Sequence, residues 1–183
     1  LETFESAITR RGAKVIWAED AQQALDAIQK ICEEKSCKTL VKSKSMVTEE
    51  IHLNDFLEKN GIESVETDLG EYIQQLDGEP PYHIVTPAMH KSKEDVAKLF
   101  AEKLGTDPKA TPEQLTLTAR RILRDKYVQA EVGLTGANFI IADIGAIAVT
   151  ENEGNARLSC SMPKTHIVIA GIEKVIPSMT DLA

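Results

Sequence analysis

Short β-branched runs alternate with amphipathic, helix-length segments through the first two-thirds of this chain, and that alternation is what a parallel sheet with crossover helices requires. Lys14-Val15-Ile16-Trp17-Ala18 reads as a strand. Asp20 then caps a helix whose apolar residues Ala21, Ala24, Leu25, Ile28, Ile31 and Cys32 recur at three and four. Thr39-Leu40-Val41 is the next strand. Thr48 opens a second helix through Ile51, Leu53, Phe56 and Leu57, which Asn60-Gly61 ends as a left-handed cap does. A third strand, Ser64 to Thr67, and a short helix, Glu71 to Leu76, lead through the turn Asp77 to Pro81 into a strand over His83 to Thr86. Two helices follow in succession. Ser92 caps the first, with Val96, Leu99, Phe100 and Leu104 on one face; Thr111-Pro112-Glu113-Gln114 starts the second with a capping Thr, a Pro in the first helical position and a Gln that closes a capping box.

From Gly133 the pattern changes. Gly133 to Asn138 reads as a Gly-x-x-Gly turn entering a strand. Asn138 to Ala142 and Ala146 to Thr150 then flank the tight turn Asp143-Ile144-Gly145 as an antiparallel hairpin. A polar loop, Glu151 to Asn155, follows, and His166 to Gly171 returns as a buried strand. The expected fold class is therefore α/β: a twisted, mostly parallel sheet flanked by helices, with an antiparallel hairpin near the C-terminus, in one domain over residues 1–183.

At 183 residues such a domain buries enough surface to need no disulfide or metal. The 21 Lys and Arg against 29 Asp and Glu leave a net charge of −8, which argues against a nucleic-acid surface. No apolar stretch reaches the length of a membrane span, and Leu1 to Arg11 has no apolar signal-peptide core. A chain that begins at Leu is expected to have lost upstream residues. The odd number of cysteines, Cys32, Cys37 and Cys160, suits a reducing cytoplasm. They form no zinc motif or ferredoxin-type cluster run, and His52, His83 and His90 show no metal-ligand spacing, so no metal ligands are assigned.

Three segments carry chemistry. Lys42-Ser43-Lys44-Ser45, with Thr48 and Glu49, sits where a strand gives way to a helix, at the carboxyl edge where open α/β sheets bind ligands. Its cations, hydroxyls and free N–H groups suit a small anion; the same residues also suit a solvated loop. In the Gly133 to Asn138 turn, Thr135, Gly136 and Asn138 are candidate ligand contacts, against a simple helix cap and bulge. Glu151-Asn152-Glu153-Gly154-Asn155-Ala156-Arg157 holds more functional groups than a turn needs: Arg157 is a candidate anion clamp, Glu151 a base or nucleophile, and Asn152, Gly154 and Asn155 candidate contacts, although a solvated Asx turn would use some of them. His166, at the head of an apolar strand, is a candidate catalytic residue or a hydrogen-bonded structural one.

Taken together, Lys44 to Ile51, Glu66 to Ile73, Pro80 to Val85, Gly133 to Phe139, Glu151 to Leu158 and Pro163 to His166 resemble the LUD domain of the lactate-utilisation protein B family, over most of the chain and in consistent order. The resemblance implies a NagB/RpiA/CoA-transferase-like fold and a part in oxidising L-lactate to pyruvate with other subunits of a lactate-utilisation complex. It places iron–sulfur clusters in a missing region or in partner subunits, with none in this chain, and makes the chain an excised or short form of a longer iron–sulfur protein. Two roles follow from it: a module that binds a small anionic substrate or cofactor, or a non-catalytic subunit that docks partners through an apolar patch. By analogy alone, a group-transfer enzyme would use Glu151 as its nucleophile. On the first reading Lys42, Lys44, Asn138, Asn155 and Arg157 should lie on one side of the sheet.

Overall fold

The computed structural model describes residues 1–80 and 86–182. Its main sheet holds four parallel strands in the order β2-β1-β3-β6: β1 (Thr39–Lys42), β2 (Glu63–Glu66), β3 (Val132–Thr135) and β6 (Thr165–Val168). Lys42 is in register with Glu66 on one side and Leu134 on the other, and Leu134 with Ile167. Residues in register share a face, and their chain neighbours take the opposite one.

That parity divides the core. On the Leu40, Val132 and Leu134 face pack α2 (Ala21–Glu34), through Leu25, Ile28 and Cys32, and α4 (Leu53–Lys59), through Leu53 and Leu57. On the Val41 and Val65 face pack α5 (Leu69–Asp77), α6 (Lys93–Leu104) and α7 (Pro112–Gln129), through Tyr72, Phe100, Leu115, Ala119 and Leu123. Each buried Leu, Ile or Phe side chain among these contributes about 1.5–3 kcal/mol. A smaller sheet, β5-β4-β7, joins β4 (Phe139–Ile141) antiparallel to β5 (Ala146–Ala148) and parallel to β7 (Val175–Ile176), and α1 (Glu2–Thr9) packs on it through Phe4. Among the described residues no helix is long and apolar enough to cross a membrane.

The caps form as the residues dictate. Asp20 accepts the Gln23 N–H, and complete capping boxes start α6 at Ser92 and α7 at Thr111.

Four expectations change. Lys14 to Ala18 is not a strand: Ile16 and Trp17 are exposed, and the indole N–H donates to Glu5 in place of a ladder. The helix expected from Thr48 starts after Ser45 and is two pieces, α3 (Met46–Glu50) and α4, broken where His52 takes φ 53°. Thr48 does not cap it; its hydroxyl donates back to the Ser45 carbonyl at 2.7 Å. Gly133 lies inside β3, a central strand, and is not part of a turn. The loop expected through Arg157 becomes helix α8 (Asn155–Ser161). Of the strand expected over His83 to Thr86, His83, Ile84 and Val85 lie outside the described residues, and Thr86 is in a bend.

Candidate functional site at the carboxyl edge of the main sheet

The carboxyl ends of β1, β2, β3 and β6 are tied by backbone bonds that continue past the strands. Ser43 N–H donates to Leu134 O at 3.0 Å, Thr67 N–H to Lys42 O at 3.0 Å, and Ile169 N–H to Thr135 O at 3.0 Å. The Thr67 hydroxyl also donates to Lys42 O, at 2.7 Å. Gly136 lets the loop after β1 close over β3, since a Cβ there would stand 3.0 Å from Ser45 Oγ. Lys42, Ser43, Ser45, Thr135 and Gly136 are thus brought to one edge.

Their side chains do not all face one way. Lys42 points to the α4 side, where its ammonium is 2.5 Å from Glu66 Oε1 and 3.1 Å from Glu49 Oε1. It is fully buried, so its charge is committed to those carboxylates. Burial alone would lower its proton affinity, but Glu66 and Glu49 more than offset that and hold the ammonium charged. Lys44, half-buried on the loop, has no ion-pair partner among the described residues.

The opposite face carries a second group. Helix α8 lies against β3 at Gly133, where a Cβ would meet Ser159 O at 1.8 Å. Only glycine admits that approach. It sets Cys160 Sγ 3.4 Å from His166 Nε2, and Thr135 Oγ1 lies 2.9 Å from the same nitrogen. Ser159 Oγ is 3.5 Å from Thr67 Oγ1, and Tyr127 OH donates to Asn155 O. Nε2 of the imidazole lies within reach of both Thr135 and Cys160, while the residue as a whole stays exposed. Partial burial holds the His166 pKa below the ordinary imidazole range; burial likewise raises the Cys160 thiol. Both groups are neutral near pH 7.

Glu151 accepts the Arg157 N–H at 2.8 Å and pairs with Arg157 Nε at 3.3 Å. The Arg157 side chain remains 76% exposed. Asn155 accepts the Ala156 N–H, Gly154 precedes the helix at φ 79°, and Asn152 is exposed on the loop. Asn138 is a hairpin pin that accepts the Thr150 N–H at 2.7 Å. The expected arrangement on one side of the sheet is therefore not met: Lys42 and Glu49 meet on the α4 side, while Arg157 and Asn155 ride on α8 across the sheet with His166. Two shallow concavities, of about 660 and 340 Å³, lie beside α1 and the hairpin turn, and neither is lined by a residue of this edge.

The family model described as the LUD domain matches the chain over residues 1–183. The chain belongs to the LUD domain family. Lactate utilization protein B of Bacillus subtilis (strain 168) is 49% identical to this LUD domain over 175 residues, 95% of the chain and 36% of the relative. The proteins of that name from Bacillus velezensis and Bacillus pumilus are each 47% identical, over 99% and 100% of the chain and 38% and 39% of their own lengths. The domain thus spans less than two-fifths of each of these relatives. No solved structure matches it.

The resemblance implies iron–sulfur clusters for the wider assembly, and among the described residues the three cysteines do not converge. Cys32 and Cys37 are buried on the α2 side of the main sheet and Cys160 lies across it on α8. Among the described residues no three His, Cys, Asp or Glu side chains converge as a metal site needs. Thiols so placed, on opposite sides of the main sheet, do not fit a cluster.

Sequence reasoning missed Glu66, Glu71, Asn54, Ser159 and Cys160 as members of the two groups. A signal for Glu66 was present, since it stands two residues from Ser64 on a strand and so shares a polar face with it. For Ser159 and Cys160 none was, because the helix that carries them was not recognised.

Proposed function

We propose that this LUD domain serves lactate utilisation by binding a small carboxylate anion at the carboxyl edge of its main sheet, beside His166 and with Arg157 as the cation. The lactate assignment rests on the names of relatives 46–49% identical over nearly the whole chain. The siting rests on one observation: His166, neutral and accessible, is fixed by Thr135 and Cys160 against α8, the helix that also carries Arg157.

The chemistry is consistent with that use. Arg157 and Cys160 are three apart on α8, so they are neighbours on its surface. An exposed ion pair such as Arg157–Glu151 is worth about 0–1 kcal/mol, and only Nε of the guanidinium is engaged. A ligand carboxylate can therefore displace Glu151 and take the bidentate geometry a guanidinium favours. Lys44 adds a second cation at the same edge. The neutral imidazole that partial burial maintains can accept a hydrogen bond from the hydroxyl of a bound 2-hydroxy acid. The electron acceptor and its iron–sulfur clusters are assigned to other parts of a lactate-utilisation assembly in which this domain is one unit.

Thermal unfolding in L-lactate or pyruvate tests the reading. A ligand that binds only the folded state adds about 2.7 kcal/mol at 100 times its Kd, and Arg157→Ala should remove the shift. Absence of any shift with either acid would overturn the proposal in favour of a partner-docking role.

A further inference from the structure

Lys42, Glu66 and Glu71 form a charged group closed off from water at the carboxyl ends of β1 and β2, apart from the His166 site. Lys42 is 0% exposed and the two glutamates 3% each. Lys42 Nζ and Asn54 Nδ2 both donate to Glu66 Oε1, the latter at 2.7 Å. Glu71, in the first turn of α5, stands one helical turn before Gln75, whose Oε1 accepts the Glu66 N–H at 3.0 Å, so it lies on the helix face turned toward Glu66. Among the described residues neither Glu66 Oε2 nor Glu71 Oε2 has a hydrogen-bond partner, although both are buried. The start of α5 does not supply one: Asp68, its N-cap, already takes the Gly70 and Glu71 N–H groups.

The charges do not balance if every carboxyl is ionised. One ammonium then faces two sealed carboxylates, with Glu49 from α3 and Asp68 adding further negative charge at the margin. These, with Asn54 of α4 as a neutral neighbour, are the groups that face the pair from the described elements packed on it. A buried charge without a counter-ion is costly, and two carboxyls in contact resist ionising together.

We propose that Glu66 and Glu71 share one proton in the folded protein at neutral pH, so that the sealed group is neutral and the proton supplies the donor that their orphaned oxygens lack. The proton resides mainly on Glu71, because Glu66 is the partner of Lys42. Burial, and then the charge of Glu66, push Glu71 up to about 9, in agreement with this arrangement. The unfolded chain releases that proton near the ordinary Glu value of about 4.3. Its stabilising effect is therefore complete below that pH and is lost as pH rises through about 9.

The test is infrared spectroscopy and proton counting on the whole chain. At pH 7 the wild type should show a protonated-carboxyl C=O band that Glu71→Gln, which mimics the neutral acid, abolishes. Folding at pH 7 should take up one proton more in the wild type than in Glu71→Gln, read from calorimetry in buffers of different ionisation enthalpy. If Glu71→Gln does not fold, the wild-type band and proton count decide alone. No such band, or equal proton uptake in both proteins, would overturn the proposal. So would stability that rises with potassium but not with choline at fixed ionic strength, which would give the orphaned oxygens to a bound cation. Neither result bears on lactate or pyruvate binding, so this inference and the proposed function fail separately.

Discussion

Thr135 Oγ1 stands 2.9 Å from His166 Nε2, joining the end of the central strand β3 to the edge strand β6. Thr135 is fully buried and His166 is not, so the buried hydroxyl fixes the accessible ring. Thr135→Val keeps the shape and removes the hydrogen bond, at a cost of about 1 kcal/mol. If ring position matters to the ligand, Kd for L-lactate or pyruvate should rise about fivefold by calorimetry, with the far-UV spectrum unchanged.

The same ring gives a pH signature. Partial burial lowers the folded pKa of His166, so on acidification the unfolded chain takes up a proton before the folded one does. Stability should fall as pH drops through about 6.5 toward the lowered folded value. His166→Gln should make that loss shallower in urea titrations between pH 7 and pH 5.

Gly133 sets the distance between α8 and the main sheet. Since an added methyl would meet Ser159 O at 1.8 Å, Gly133→Ala must push the helix outward. Overpacking of this kind costs about 1–3 kcal/mol, and contact with backbone places it at the upper end. Urea denaturation should show the loss, and the Cys160 thiol, freed from His166, should label faster.

Lys42 is a structural cation. Lys42→Met leaves Glu66 buried without its counter-charge and should cost about 3–5 kcal/mol in chemical denaturation, whereas adding Glu66→Gln to it should recover part of that loss. An equal loss in the single and double variants would contradict the role.

Where one residue's chemistry sets the local structure, the sequence was legible. Asp20, Ser92 and the Thr111-Pro112 start each cap the helix their side chains suit, and the hairpin around Asp143-Ile144-Gly145 pairs as its turn residues require. Where long-range packing decides, it was not. Gly133 looks like punctuation locally, yet it is glycine because α8 touches the strand there. Glu151 to Asn155 reads as a polar loop because the glutamate that caps α8 lies outside it, six residues before the N–H it accepts. Lys14 to Ala18 has strand-forming residues, but Ile16 and Trp17 stay exposed and Trp17 is held by Glu5 of α1. Of the candidate site, His166, Thr135, Glu151, Asn155 and Arg157 do gather around α8. Lys42 and Glu49 turn away, because one residue of strand parity sends Lys42 to the opposite face. The burial of Glu71 had no local signal, since a glutamate in a first helical turn is ordinarily a solvated, dipole-compatible residue.

The central claim is that a carboxylate ligand sits beside His166 and Arg157. Its most direct test is a nuclear magnetic resonance titration of the whole chain with L-lactate or pyruvate, reading imidazole and Arg side-chain signals. His166, among only four histidines, is assigned through His166→Gln. Saturable shifts are expected at the His166 ring and at Arg157 Nε, with His52 and His90 unmoved. Saturable binding that leaves His166 and Arg157 unchanged, or no binding at all, would contradict it.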